Sequence, residues 1–192
     1  MKKLFQMLII ACGTLMLSGC SYNHIVSLDE SAKEAWSNVE AAYQRRADLV
    51  GNLVETVKGN AKFEQTTLTA VIEARSKATS IQLNADQLTP ENIAKFQEAQ
   101  NNLSGALSHL LAVVENYPEL KTNNQFAELM TELERTENRI NIARRDYNAS
   151  VKDYNTQIRS FPSNITAMLF KFKEREGFKA DAGTEKAPKV QF

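Results

Sequence analysis

A chain of 192 residues, 43% hydrophobic and 24% charged, is long and apolar enough to bury one ordinary globular core. Its 23 basic and 23 acidic residues cancel, and no basic tract or basic-aromatic patch stands out, which argues against nucleic acid as a partner. Seven glycines and four prolines are few, and Pro90, Pro118 and Pro162 fall where helical patterns begin or end, so the chain reads as all-helical.

The first residues read as a targeting segment. Lys2 and Lys3 precede an apolar run from Leu4 to Leu17. Fourteen helical residues rise about 21 Å, short of the ~30 Å of a bilayer's hydrocarbon core, so the run makes a poor permanent span. Leu17-Ser18-Gly19-Cys20 follows and resembles the lipobox of bacterial lipoproteins. The expectation is a signal peptide over 1–19, lipid on Cys20, and a short lipidated tether over 20–26. An uncleaved transmembrane anchor is the alternative. Cys12 would leave with the signal, so no disulfide could form within the mature chain.

From Ser27 the pattern predicts a first long helix, opened by a capping box of Ser27 with Glu30. Its seam runs through Leu28, Ala32, Ala35, Val39, Ala42, Arg46, Leu49, Leu53 and Val57, with gaps of four and three. Gly59-Asn60 is a reversal. A shorter second helix carries Leu68, Val71, Arg75 and Ala78. Pro90 opens a third, with Ile93, Phe96, Gln100, Leu103, Leu107, Leu110, Val114 and Tyr117 on one face. The fourth starts near Thr122 and holds the same spacing through Phe126, Met130, Leu133, Glu137, Ile140, Arg144, Tyr147, Val151, Tyr154, Ile158 and Phe161. Short connections favour antiparallel neighbours. The predicted fold is therefore all-α, an antiparallel up-and-down four-helix bundle over 27–178.

Long stretches of the chain resemble the LemA family: SYNHIVSLDESAKEAWSNVEAAYQRRADLVGNLVETVKGNAKFE, then YPELKTNNQFAELMTELERTENRINIARRDYN, IRSFPSN and the closing Pro-Lys-Val-Gln-Phe. The resemblance implies a membrane-attached antiparallel helical bundle and no particular reaction. It also implies an N-terminal transmembrane helix, from which the lipobox departs.

Two groups of residues stand out on the seams. Arg46, Arg75, Gln100 and Glu137 are polar at inward positions of similar height, so Glu137 is expected near Arg46 or Arg75 with Gln100 close by. The bland reading is a buried polar layer that fixes helix register; the sharper one is a ligand site. An accessible cavity beside Arg46 and Glu137 would favour the ligand, and a dry, fully paired layer the register. The second group starts from the dipeptide Tyr-Asn, which occurs at Tyr22, Tyr147 and Tyr154, the last two a heptad apart. With Phe161, these tyrosines are expected to form a membrane-proximal aromatic cluster, because the first and fourth helices outrun the other pair. After Pro162, a short C-terminal amphipathic helix with Ile165, Met168, Leu169 and Phe172 on one face is expected either to fold over that stalk or to meet lipid or a partner. The segment 179–192 reads as a polar tail that Val190 and Phe192 could pin.

Catalytic motifs are missing. His24 and His109 have no glutamate three residues before them, and there is no His-Glu-x-x-His, Cys-x-x-Cys, nucleophile elbow or phosphate-binding loop. No enzyme activity, metal or cofactor is expected. The expected protein is an envelope module, facing the periplasm or in an outer membrane, that binds an unidentified envelope protein or another copy of itself.

Overall fold

The computed structural model describes residues 2–59 and 63–179, with side chains from Ser21 onward. The elements are α1 (Lys2–Lys58), α2 (Gln65–Ser80), a 3₁₀ turn (Ala85–Gln87), α3 (Pro90–Val114), α4 (Pro118–Lys121), α5 (Asn124–Arg159) and α6 (Ser163–Leu169). There is no strand among the described residues. Helix starts follow local chemistry: the Thr89 hydroxyl accepts from the Asn92 amide with Pro90 in the first turn of α3, and the Asn123 side chain accepts from the Phe126 amide at α5.

Long helices pack antiparallel, α1 against α5 and α2 against α3, and α2 also rests on α1. The register of the first pair is plain: Ile25 shares a cluster with Ile158, Trp36 meets Tyr147, and Arg46 meets Glu137. Three apolar clusters stack along the long axis. Ile25, Tyr154, Ile158 and Ala167 make the base. Trp36, Val39, Phe96, Ile140, Tyr147 and Phe178 make the middle, and Leu53, Val57, Leu68, Val71, Leu103, Leu110 and Phe126 the top. Between middle and top lie the buried polar residues Arg46, Gln100 and Thr136.

The structure corrects three expectations. Ser27 is not a cap. Helix α1 passes through it unbroken, and the Ser27 carbonyl accepts from the Ser31 hydroxyl at 3.0 Å. No glycine or proline lies between Cys20 and Ser27 to stop a helix, and Ile25, fully buried, continues the seam downward from Leu28. Residues 21–26 are therefore helix rather than tether. The second correction concerns α6, whose inner face is Ser163, Thr166 and Ala167, while Ile165, Met168 and Leu169 point outward. Of the four residues on the face expected either to fold over the stalk or to meet lipid or a partner, only Phe172 packs inward, and in part. Third, α6 covers only the lowest part of α1 and α5, around Ile25 and Ile158, and the face above it is covered by the chain that follows, residues 172–178.

The lipidation expected at Cys20 and the side chains of the expected signal peptide lie outside the described side chains, and Asn60 and the tail from 180 onward lie outside the described residues. Lys179, the first residue of the expected tail, is held in place: its carbonyl accepts from Gln97 at 3.1 Å and from Arg144 at 3.4 Å.

Candidate functional site

The repeated Tyr-Asn pairs on α5 have one shared task. The Asn155 side chain donates to the Arg175 carbonyl at 2.8 Å and accepts from the Arg175 amide at 2.9 Å. Asn148 treats Phe178 the same way, at 3.1 and 2.8 Å. Each preceding tyrosine donates its hydroxyl to a backbone carbonyl: Tyr154 to Lys173 at 3.0 Å and Tyr147 to Glu176 at 2.7 Å. A side-chain amide thus does for the passing chain what a neighbouring strand would do. One heptad of helix rises about 10.5 Å. Three residues of extended chain span about the same. Pairs seven apart on α5 therefore meet residues three apart on the strap 172–178, which runs antiparallel to it. Gly177 suits this closeness, since a Cβ there would come within 2.8 Å of the Asn148 oxygen.

Arg175 fastens the strap to the rest of the molecule. It donates to Asp29 of α1 at 2.7 Å and to the Ala85 carbonyl at 2.8 Å, and its guanidinium sits 5.8 Å from the centre of the Tyr154 ring. Burial alone would raise the Asp29 pKa, but hydrogen bonds from Arg175 and Lys33 outweigh it and hold the carboxyl below its usual range. Further up, Phe178 stacks on Trp36 at 5.7 Å, and the Trp36 indole donates to Leu83 at 2.7 Å. Tyr147 is sealed beside them, and burial pushes its hydroxyl up to about 12.

The four aromatic residues expected together are therefore spread out. Tyr22 and Tyr154 are at the same end, but Tyr22 packs on Phe170 and Phe172 at 4.7 and 5.7 Å. Tyr147 belongs to the middle cluster, and Phe161 projects into solvent at 81% exposure. The dipeptide is a backbone-binding device at positions 147 and 154. The asparagine beside each tyrosine, a side chain able to bond backbone, is the part of the sequence signal that tertiary structure uses, at Asn148 and Asn155.

The polar layer is only partly brought together. One terminal nitrogen of Arg46 donates to Ser104 at 3.1 Å and Glu137 at 3.2 Å; the other donates to the carbonyl and side-chain oxygens of Gln100 at 3.0 and 2.8 Å. Gln100 in turn donates to the Ala78 carbonyl at 3.4 Å. Arg75 stands elsewhere, donating to the Ala47 carbonyl at 2.6 Å and facing Asp48 at 4.0 Å. Glu137 is not buried. Its side chain is 53% exposed against 5% for Arg46, so the ion pair joins a buried cation to a solvated anion.

Glu137 is exposed because α3 and α5 scarcely touch. The α5 seam lacks a close α3 neighbour there, so Met130 and Leu133, with Leu107 and Leu111 of α3, are only partly buried against the top cluster. They line a groove of about 580 Å³ that also touches Arg46, Ser104 and Glu137. The accessible cavity expected to favour a ligand over a mere register layer is thus present, next to an arginine whose terminal nitrogens are already occupied.

Residues 35–192 match the LemA family. The chain belongs to the LemA family. Among relatives, this LemA protein is 31% identical to magnetosome protein MamQ 2 of Paramagnetospirillum magneticum over 175 residues, 82% of this chain and 64% of the relative. It is 30% identical to magnetosome protein MamQ of Magnetospirillum gryphiswaldense, again covering 82% and 64%. Protein LemA of Metamycoplasma hominis is 26% identical, over 76% of this chain and 63% of that one. This LemA chain spans just under two thirds of the length of these relatives. The match includes the Tyr-Asn pairs, the strap and both walls of the groove.

Two outcomes are expected from the site. Arg46→Ala should cost about 2–3 kcal/mol in denaturant unfolding, because it strips Gln100 and Ser104 of a charged partner, and Glu137→Ala should cost about 1–3 kcal/mol, because it leaves the buried Arg46 guanidinium without its anion even though the carboxylate itself is solvated. Separately, Asp29→Asn should lower stability by about 2 kcal/mol at neutral pH. Because the folded-state pKa of Asp29 is depressed, its contribution is present above the ordinary carboxylate range and lost on acidification. The gap between Asp29→Asn and the parent should therefore close as pH falls through about 4 and below, measured by unfolding at stepped pH.

Proposed function

We propose that this protein is a membrane-attached, non-catalytic four-helix bundle of the bacterial cell envelope that holds another protein along the groove between α3 and α5. The membrane attachment is read from the apolar run Leu4–Leu17 and the lipobox-like Leu17–Cys20, with lipid on Cys20 or a retained helix as the anchor. Ser21 after the cysteine, in place of aspartate, fits the outer membrane of a diderm cell. The absence of any familiar catalytic motif supports a binding role.

The observation that carries the reading is the partly exposed row of Leu107, Leu111, Met130 and Leu133, of which Leu107, Met130 and Leu133 hold seam positions that elsewhere in this chain are core. The fitting occupant is an amphipathic helix: an apolar stripe completes the missing packing, and basic flanking residues meet Glu134 and Glu137 on the rim. A small anionic ligand or lipid headgroup is the second reading. The buried Nε of Arg46 has no acceptor among the described residues, which favours it. Against it, Arg46 is already neutralised by Glu137, and the wall is more apolar than an anion needs.

A photoreactive benzoylphenylalanine in place of Leu111 should capture a discrete protein adduct in intact cells. The same probe replacing the exposed Ile142 should not, and Glu134→Lys with Glu137→Lys should abolish the adduct. Identical adducts at both positions, or adducts indifferent to the charge reversal, would overturn the groove as the holding surface.

A further inference from the structure

Among the described residues eight large apolar side chains are exposed, and six of them, Tyr22, Phe161, Ile165, Met168, Leu169 and Phe170, lie at the base around α6. The other two, Ile72 and Ile142, sit on different helices away from it. Helix α6 is inverted relative to an ordinary surface helix. It turns small or polar residues inward, with Ser163 accepting from Gln157 at 2.7 Å and Thr166 and Ala167 buried. Its large apolar residues face outward, Met168 at 77% and Leu169 at 73% exposure. A surface helix normally does the reverse.

The arrangement is built rather than loose. Helix α6 rests on both α1 and α5. It ends in a Schellman turn: Phe172 N–H donates to the Ala167 carbonyl at 2.9 Å and Lys171 N–H to the Met168 carbonyl at 3.4 Å, with Lys171 at φ 58°. Phe172 and Ala167, the two residues this turn brings together, lie in or against the base core, and the Tyr22 ring locks onto Phe170. Directly after the turn, the strap climbs away along α5. The outward apolar face is thus held in one orientation by contacts on its inner side.

We propose that this face is a foot seated in the lipid interface, with Met168, Leu169 and Phe170 among the acyl chains and Lys171 and Lys173 at the headgroups. The inference rests on the membrane attachment proposed above, and goes beyond it by giving a second, non-covalent contact. Two observations select lipid as the occupant. Tyr22, part of the foot, stands on the same unbroken helix as the apolar run Leu4–Leu17, two residues above Cys20, so either mode of anchoring brings the foot to the bilayer surface. From Ser160 to Lys173 there is no acidic residue, whereas Lys171 and Lys173 are both exposed, a charge balance that suits anionic headgroups.

The test uses the full chain isolated from membranes, with Cys12→Ala but with Cys20 and whatever it carries kept, and with one introduced cysteine for a fluorescent label; the parent without that cysteine gives the background. The protein is reconstituted into phosphatidylethanolamine–phosphatidylglycerol vesicles with and without dibrominated phospholipid. Flotation of the protein with the vesicles comes first. Failure to float overturns the attachment reading itself. Given flotation, a label at Met168→Cys should be quenched by brominated lipid several-fold more than one at Gly105→Cys, where nothing crowds the backbone. Equal quenching at both positions overturns the foot while leaving attachment intact. A label at 168 that is shielded from aqueous iodide yet untouched by brominated lipid means that protein covers the face, and overturns it too.

Discussion

A heptad of α-helix and three residues of extended chain have nearly the same length, and the lower half of this molecule depends on that coincidence. It lets Asn148 and Asn155 each close two backbone hydrogen bonds on the strap without any strand pairing. Once the strap lies there, Arg175 reaches Asp29 and Ala85, and Phe178 reaches Trp36. Helix α1, the loop before α3, and α5 are thereby joined through a segment with no secondary structure of its own. Without it, the lower faces of α1 and α5 would be open from α6 upward, because α2 and α3 end above them.

The upper half obeys a different constraint. Its seam residues are as apolar as those below, but α3 leans on α2 rather than α5. The consequence is a divided core: Leu53, Val57, Leu103 and Leu110 are sealed, while Met130 and Leu133 are only half covered. Arg46 sits where the two halves meet, and its bonds to Gln100 and Ser104 on one side and Glu137 on the other are the polar bridge between helices that scarcely touch. A buried arginine so placed tolerates a groove beside it because the one carboxylate it needs is at the groove's wet edge.

Helix identity and direction were legible in the sequence because four-three spacing is a strong signal over many turns, and the buried rows of α2 and α3 fall on the seams it marks. The start of α1 was not. Ser27 with Glu30 has the form of a cap, yet a cap residue stops nothing when the preceding chain also favours helix and Ile25 has a core to enter. The pairing of Arg46, Gln100 and Glu137 was readable from their heights along the helices. The placement of Arg75 was not, since periodicity gives a residue's height and face but not which neighbour that face meets. The inverted face of α6 was beyond periodicity for a related reason. Seven residues carry too few turns to say which side is inward, and the deciding contacts come from Gln157 and the base core.

One unbroken helix connects the two surfaces left open. Tyr22 at the base and Arg46 below the groove both belong to α1, 24 residues apart, about 36 Å along a rod. A helix held on one side by α5 from Ile25 upward and on another by α2 cannot shorten or swing at one end alone. Whatever seats the base therefore fixes the height and facing of the groove. That fixed separation is itself a physical property with consequences. It presents the partly covered Leu107, Leu111, Met130 and Leu133 at a set distance from the base, turned in a direction that the packing of α1 against α5 determines.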